Sequence, residues 1–298
     1  MIEKKRAIAL GFFDGIHIGH SALMKKVLEI GAVKSLIPSV ITFDAHPLSL
    51  VSGNAAPLIN SPEDRAGIIQ RIFGIDDIIF LHFDMETVRM PWDVFIVHLV
   101  DEFGALHLVA GYDFTFGSGG KGNAGLLADK CAEMNLGCDI IPAVTHNGVT
   151  SSSTYIRELI AGGDMELAIR FLGHPHVLTD VVRYGYRLGR TMGSPTINMW
   201  FPDGVLVPAY GVYATKVYLS DGSEHVGVTN VGVRPTVGDF NQATAETYII
   251  GFQGNLYGQR ARVEFYARLR PEVKFGSIDE LKAQIQRDSD ASQRYFET

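Results

Sequence analysis

The sequence predicts an α/β domain followed by a β domain, on three observations. Residues 1–162 alternate strand-like apolar runs with helix-like amphipathic segments. Residues 174–298 run as successive strands marked by turn signals, and between the halves GDMELAIRFLG (163–173) is a short linking-helix pattern stopped by Gly173 and Pro175. Strands covered on both faces read as unbroken apolar runs. The first half therefore suits a parallel sheet wound on both sides by helices, with its site at the carboxyl ends of the strands.

Each element has its own warrant. AIAL (7–10) is the first strand, and Leu23, Val27 and Ile30 mark the following helix at helical spacing. SVITF (39–43) is a second apolar run. SPEDRAGIIQRIF (61–73) opens a helix with Ser61 as N-cap and Pro62 at the first helical position, where its missing N–H costs nothing. DIIFLHF, PWDVFIVHLVDEF, LHLVA, LLADKCAEM and CDIIPAV follow as strand, helix, strand, helix and strand. In the second half, GVYATKVYLS (211–220) and VGVTNVGV (226–233) flank Asp221-Gly222, a hairpin signal. ETYIIGF (246–252) and ARVEFYARL (261–269) are further strands. SIDELKAQIQRD (277–288) starts a helix with Ser277 and Glu280 at capping-box spacing. The half reads as a compact antiparallel barrel closed by a C-terminal helix.

Composition narrows the function. The chain has 298 residues, 46% hydrophobic and 20% charged, as a folded two-domain protein should. A formal net charge of −7 argues against a general nucleic-acid or anionic-membrane binder, since both need basic surface. A nucleotide needs only a local cradle and stays admissible. Cys131 and Cys138 match neither a CxxC pair nor a zinc knuckle and read as reduced thiols of a cytoplasmic protein. MIEKKRAIALGFF looks faintly like a signal peptide, but Asp14 ends the apolar run and no small-residue cleavage site follows. It reads as a buried strand. No apolar run reaches membrane-spanning length.

The chemistry begins at GFFDGIHIGH (11–20). Behind the first strand this is a βα turn opening a helix, and a helix start offers free N–H groups and a positive dipole end to a phosphate. His17 and His20, at i and i+3, share one face of that turn. Gly15 and Gly19 let the backbone approach the ligand. Two imidazoles there can steady charge as it builds during nucleotidyl transfer. A metal site would need a third ligand, for which Asp14 and His46 are the candidates. The string HIGH also spells the class I aminoacyl-tRNA synthetase signature, but the lysine-rich second loop of that class is absent. GSGGKG (117–122) satisfies GxGxxG, a weak pattern alone, and Gly122 after Lys121 rules out a Walker A loop. It reads as a mobile glycine-rich loop near the nucleotide. In SSSTYIREL (151–159), Ser153 and Thr154 can meet phosphate oxygens, and Arg157 offers a bidentate fork.

Together the motifs resemble a known family. GFFDGIHIGH, TFDAHP (42–47), GYDFTFG (111–117) and SSTYIREL (152–159) are similar to the adenylyltransferase half of the bacterial bifunctional FAD synthetases. GYRLGRTMGSPTIN (185–198), GVTNVGVRPT (227–236), AETYIIGFQGNLYG (245–258) and LRPEVKFGSIDELKAQIQRD (269–288) resemble their riboflavin kinase module. The motifs come in the family's order and span nearly the whole chain.

The resemblance implies a Rossmann-like nucleotidyltransferase domain over 1–162, a linking helix over 163–173 and a six-stranded kinase barrel over 174–298. It implies that riboflavin and ATP give FMN and ADP, and that FMN and ATP then give FAD and pyrophosphate, with Mg²⁺ at both sites. In the first domain it places Gly11, Asp14, Gly15, Gly19, His46, Ser153, Thr154 and Arg157 around ATP, with His17 and His20 polarising the phosphates. In the kinase it places Gly189 and Pro195 at ATP, Thr196 and Asn198 near Mg²⁺, and Glu246 as the base for the ribityl hydroxyl. One carboxylate orienting an alcohol is what a phosphoryl transfer asks of a side chain. The implied partners are riboflavin, FMN and ATP, with no nucleic acid, no membrane and at most weak self-association, in the cytoplasm.

Departures from the family pattern are Ala45, Ser194, Ile197, Tyr248, Gly251 and Asn255. Those in the kinase half motivate an alternative, a flavin-binding sensor or a monofunctional adenylyltransferase with an impaired kinase. Adenylylation of another substrate, such as pantoate or nicotinamide mononucleotide, is a third reading, and the kinase motifs count against it.

Overall fold

The computed structural model describes residues 4–44, 56–82, 84–183, 196–235 and 241–297. His46, Gly189 and Pro195 lie outside the described residues, as do Ala45 and Ser194. The chain divides into two compact units, Met1–Ala56 with Arg65–Ser152, and Pro57–Asp64 with Ser153–Thr298.

The first unit is built on five parallel strands. They are β1 (Arg6–Leu10), β2 (Ile37–Phe43), β3 (Asp77–Leu81), β4 (Ala105–Gly111) and, after the two-residue strands β5 (Thr115–Phe116) and β6 (Gly122–Asn123), β7 (Gly137–Ile141). Their order is β3-β2-β1-β4-β7. Between them run α1 (Ile18–Lys34), α2 (Pro62–Phe73), α3 (Met85–Arg89), α4 (Trp92–Phe103) and α5 (Ala124–Glu133). All five residues of β1 are buried, as the unbroken apolar run predicts for a central strand. The strand order reverses beside β1, so the crevice outside its carboxyl end is the ligand position of a doubly wound sheet. The amino ends are tied instead. Arg6 Nε donates to Asp77 Oδ2 at 2.6 Å and Ser39 Oγ donates to the same oxygen at 2.6 Å. The Arg6 contact leads in lowering the Asp77 carboxyl to about 2.

Sequence signals set the helix ends. Ser61 Oγ accepts the Asp64 N–H at 3.0 Å, as an N-cap before Pro62 should. Asn123 Oδ1 caps α5 through the Leu126 N–H at 3.0 Å. GSGGKG is the tip of a hairpin pairing Thr115 with Asn123 and Phe116 with Gly122.

The second unit is a six-stranded antiparallel sheet. After β8 (Thr145–His146) and β9 (Val149–Thr150), a short hairpin of the first unit, come α6 (Ser153–Gly162) and α7 (Met165–Leu172). The strands are β10 (His176–Val181), β11 (Thr196–Trp200), β12 (Gly211–Leu219), β13 (Glu224–Pro235), β14 (Asn241–Ile249) and β15 (Arg260–Arg270), in the order β10-β15-β12-β13-β14-β11. Just past β10, the Arg183 N–H donates to the Asn198 carbonyl of β11 at 2.9 Å, an isolated bridge that brings the two edges of the sheet together. Gly222 takes φ +86° in the β12–β13 turn, and Asp221 Oδ1 accepts the Ser223 N–H at 2.9 Å. The sequence patterns name four strands in this half, and β10 and β11 complete the six. Ile156 and Ile160 of α6 and Ala168, Phe171 and Leu172 of α7 pack into the barrel core with Met199, Tyr213 and Phe265.

α8 (Ile278–Glu297) closes the unit. Its start shows half of a capping box: Ser277 Oγ accepts the Glu280 N–H at 3.2 Å, while Glu280 Oε2 takes the Gly276 N–H at 2.9 Å. Its buried face is polar, with Asp288, Ser289 and Ser292. Arg270 Nε lies 3.0 Å from Asp288 Oδ1, and Arg270 Nη2 lies 2.8 Å from Oδ2. Ser292 Oγ donates to the Gly227 carbonyl at 2.9 Å. This is a bidentate anchor with only 6% of the carboxylate side chain exposed. Removing one partner strands the other charge. Asp288→Ala should therefore cost the second unit about 3 kcal/mol. Urea unfolding followed by Trp200 fluorescence in a Trp92→Phe background checks this, and an unchanged midpoint would show that the pair does not anchor α8.

Candidate functional site

In the first unit the site forms where β1 ends. The chain leaves Leu10 through Gly11, and Phe13 and Ile16 take φ of +55° and +44°. Both values are costly for side chains that are not glycine. The cost is offset by burial, since Phe13 is 1% and Ile16 0% exposed. Gly15 supplies a third positive φ, +83°. The turn delivers Asp14, itself buried, and then His17.

His17 is the N-cap of α1, a role normally taken by a serine, threonine, aspartate or asparagine oxygen. Its Nδ1 accepts the N–H of Gly19 at 3.1 Å and of His20 at 3.4 Å. An acceptor nitrogen carries no proton, so the hydrogen-bond geometry places the ring proton on Nε2. A Cβ on residue 19 would sit 2.9 Å from His17 Cε1 and 3.0 Å from Nδ1, which is why glycine stands there. His20 stacks on His17 with centroids 3.6 Å apart and planes 19° apart, and Phe13 meets His20 edge-on at 5.2 Å. Burial first, then His17 and Arg65, hold His20 well below the ordinary imidazole pKa. It is a neutral ring at physiological pH, and its buried Nδ1 has no partner among the described residues.

Arg65 of α2 is the residue that sequence motifs do not mark. It is fully buried. Burial lowers its pKa to about 10, with Asp14 opposing the shift, so it stays charged. The signal was present: residue 65 lies three and four positions before Ile68 and Ile69, both 0% exposed, so a cation sits on the buried face of its helix.

In the second unit, register gathers the kinase candidates. Asn198 of β11 stands opposite Glu246 of β14, and Glu246 stands opposite Asn230 of β13. Thr196 lies two residues along the same face, opposite Tyr248. Asn198 is 3% exposed, and Glu246 and Thr196 are half-buried. Asn230, which stands in the GVTNVGVRPT stretch with no role assigned to it there, donates to Glu272 Oε1 at 3.0 Å. The opposite face of these strands points into the barrel, where Thr215, Thr229 and Thr247 satisfy one another at 2.8 Å in a buried hydroxyl chain. A small cleft of about 30 Å³ opens beside Thr196, lined also by Val182, Ile197, Gly254, Leu256 and Tyr257.

The first unit thus brings together Gly11, Asp14, Gly15, His17, Gly19 and His20, and the second brings together Thr196, Asn198 and Glu246. Ser153, Thr154 and Arg157 stand on α6 in the second unit, where Arg157 Nε donates to the Pro57 carbonyl at 2.9 Å. Among the described residues no three His, Cys, Asp or Glu side chains cluster as a metal site, and no helix is long and apolar enough to cross a membrane.

Comparison with known proteins finds one family match in each half of the chain. Residues 1–155 match a family model described as FAD synthetase, and residues 172–296 match one described as riboflavin kinase. A Bacillus subtilis protein, the bifunctional riboflavin kinase/FMN adenylyltransferase, is 34% identical over 99% of this chain and 93% of its own. The Escherichia coli K12 protein of the same description is 35% identical over 97% of this chain and 92% of its own. A crystal structure from Streptococcus pneumoniae, described as a macrolide-efflux protein, superposes with a TM-score of 0.85 at 28% identity, covering 98% of this chain and 94% of that one.

Gly19→Ala follows directly from the cap geometry. It should displace the His17 ring and cost α1 about 1 kcal/mol of capping. Hydrogen exchange at the Gly19–Ser21 amides checks it, and unchanged protection would show that the ring is not the cap.

Proposed function

The chain belongs to the family of bifunctional riboflavin kinase/FMN adenylyltransferases, and we propose how its residues divide the two reactions. It phosphorylates riboflavin with ATP to FMN, and adenylylates FMN with ATP to FAD. Adenylyl transfer falls to residues 1–162 and phosphoryl transfer to 174–298, with 163–173 as the link.

In adenylyl transfer a phosphate oxygen of FMN bonds to the α-phosphorus of ATP, and the bond to the β-phosphate oxygen breaks. Pyrophosphate carries that electron pair away. His17 and His20, both presented at the positive end of α1, hold the phosphates and stabilise the charge that develops. Gly11, Gly15 and Gly19 admit the backbone close to the nucleotide, and Asp14, His46, Ser153, Thr154 and Arg157 complete its contacts. The observation that carries this reading is the stacked His17–His20 pair at the carboxyl end of the central strand.

In phosphoryl transfer Glu246 accepts the proton of the ribityl 5′-hydroxyl as its oxygen bonds to the γ-phosphorus and ADP leaves. Gly189 and Pro195 contact ATP. Thr196 and Asn198 offer hydroxyl and amide oxygens beside a carboxylate, a hard donor set that fits Mg²⁺ shared with phosphates. Bound there, Mg²⁺ would neutralise phosphate charge. The partners are the flavins and ATP, without nucleic acid or membrane and with weak self-association at most, and the compartment is the cytoplasm.

Paired variants test the division. Glu246→Ala should lower riboflavin phosphorylation by about a hundredfold or more and leave FAD formation from added FMN intact. His20→Ala should do the reverse. Chromatography of the three flavins reads both, and a Glu246→Ala enzyme that phosphorylates riboflavin normally removes Glu246 as the base.

A further inference from the structure

We infer that Arg65 is a positioning residue for adenylyl transfer, clamping the β1–α1 turn through Phe12 and Thr42 and setting a fixed positive charge behind Asp14 and His20. The inference rests on His17 and His20 being the seat of the ATP phosphates.

The clamp is visible in the bonds. Arg65 Nη1 donates to Thr42 Oγ1 at 2.9 Å and to the Phe43 carbonyl at 2.9 Å. Thr42 Oγ1 in turn donates to the Phe12 carbonyl at 2.8 Å. The guanidinium carbon also lies 4.6 Å above the Phe12 ring. One cation therefore holds Phe12 at its ring face and, through Thr42, at its carbonyl. Phe12 starts the turn in which Phe13 and Ile16 are kept at positive φ, so a fixed Phe12 fixes the approach of the chain to the His17 cap. The same cation joins the carboxyl ends of β1 and β2.

The charge has a second use. Arg65 Nε and Nη2 are buried with no hydrogen-bond partner among the described residues. A buried guanidinium with unfilled donors acts strongly on its neighbours. Those facing His20 are His17 at the helix cap, the Phe13 edge from the turn and Arg65 from α2, with Asp14 acting on Arg65. Arg65 disfavours a proton on His20 and, beside the phosphates, favours the negative charge that grows as pyrophosphate leaves.

The test uses the full-length enzyme with Arg65→Gln and Arg65→Lys, and riboflavin phosphorylation as an internal control. Arg65→Gln should lower kcat for FAD formation by about tenfold while the KM for FMN moves by less than about threefold. Its acid limb should shift to higher pH, because His20 loses the cation that opposes protonation. Arg65→Lys should recover kcat to within about threefold of wild type, and its acid limb should stay in place. Kinase rates should be unchanged in both. Wild-type kcat in Arg65→Gln overturns the inference. So does equal loss in both variants with an unmoved pH profile, which is the mark of a purely structural cation. Should Arg65→Gln fail to fold, Thr42→Val cuts the link to Phe12 and leaves Arg65 in place. A kcat fall of about threefold at constant FMN KM supports the clamp, and an unchanged kcat overturns it. Wild-type enzyme that makes no FAD defeats the phosphate-seat reading itself, and this inference with it.

Discussion

Two backbone N–H groups at the start of α1 end on one imidazole nitrogen, and the turn between β1 and α1 depends on that contact. His17 Nδ1 receives Gly19 and His20 at 3.1 and 3.4 Å. The bond fixes the tautomer, the ring orientation and the plane on which His20 stacks. It also explains the residues around it. Gly19 has no Cβ to strike the ring, and Phe13 and Ile16 accept unfavourable backbone angles because their side chains are buried. Arg65 braces the same turn from α2. A helix start that would attract any anion becomes a site with a specific donor arrangement.

The second unit reaches comparable specificity through strand alternation. Side chains at alternate positions of β11, β13 and β14 go to opposite faces, so one sequence stretch carries two chemistries. The inward residues Ile197, Thr229, Thr247 and Ala245 close the barrel core, with the hydroxyls satisfying each other. The outward residues Asn198, Asn230 and Glu246 form a polar row. Ile197, a departure from the family pattern, belongs to the core and also lines the cleft beside Thr196. The departure therefore changes packing at the edge of the row and leaves the row's own polar residues in place.

Much of this was legible in the residues. The parallel sheet showed in its unbroken apolar runs, the β12–β13 hairpin in Asp221-Gly222, and the helix starts in Ser61-Pro62 and Ser277. What was not legible depends on tertiary contact. β10 and β11 are strands because they pair with β15 and β14, and the isolated bridge between Arg183 and Asn198 brings those edges together. β14 starts at Asn241, ahead of its apolar pattern, because β13 extends to meet it. Arg65 carried only the weak sign of a charge on a buried helix face, and Asn230 gained meaning only beside Glu246. That His17 is a cap as well as a ligand candidate follows from ring geometry, which no spacing rule contains.

The central claim is that His17 caps α1 as the Nε2–H tautomer and, with His20, receives the phosphates of ATP. Nitrogen-15 NMR of the histidine-labelled protein tests it most directly, before and after ATP and Mg²⁺ are added. The account predicts an unprotonated Nδ1 and a protonated Nε2 on His17 at neutral pH, a neutral His20, and movement of both rings' signals when ATP binds. A proton on His17 Nδ1, or ATP binding that leaves both rings unmoved, would contradict it.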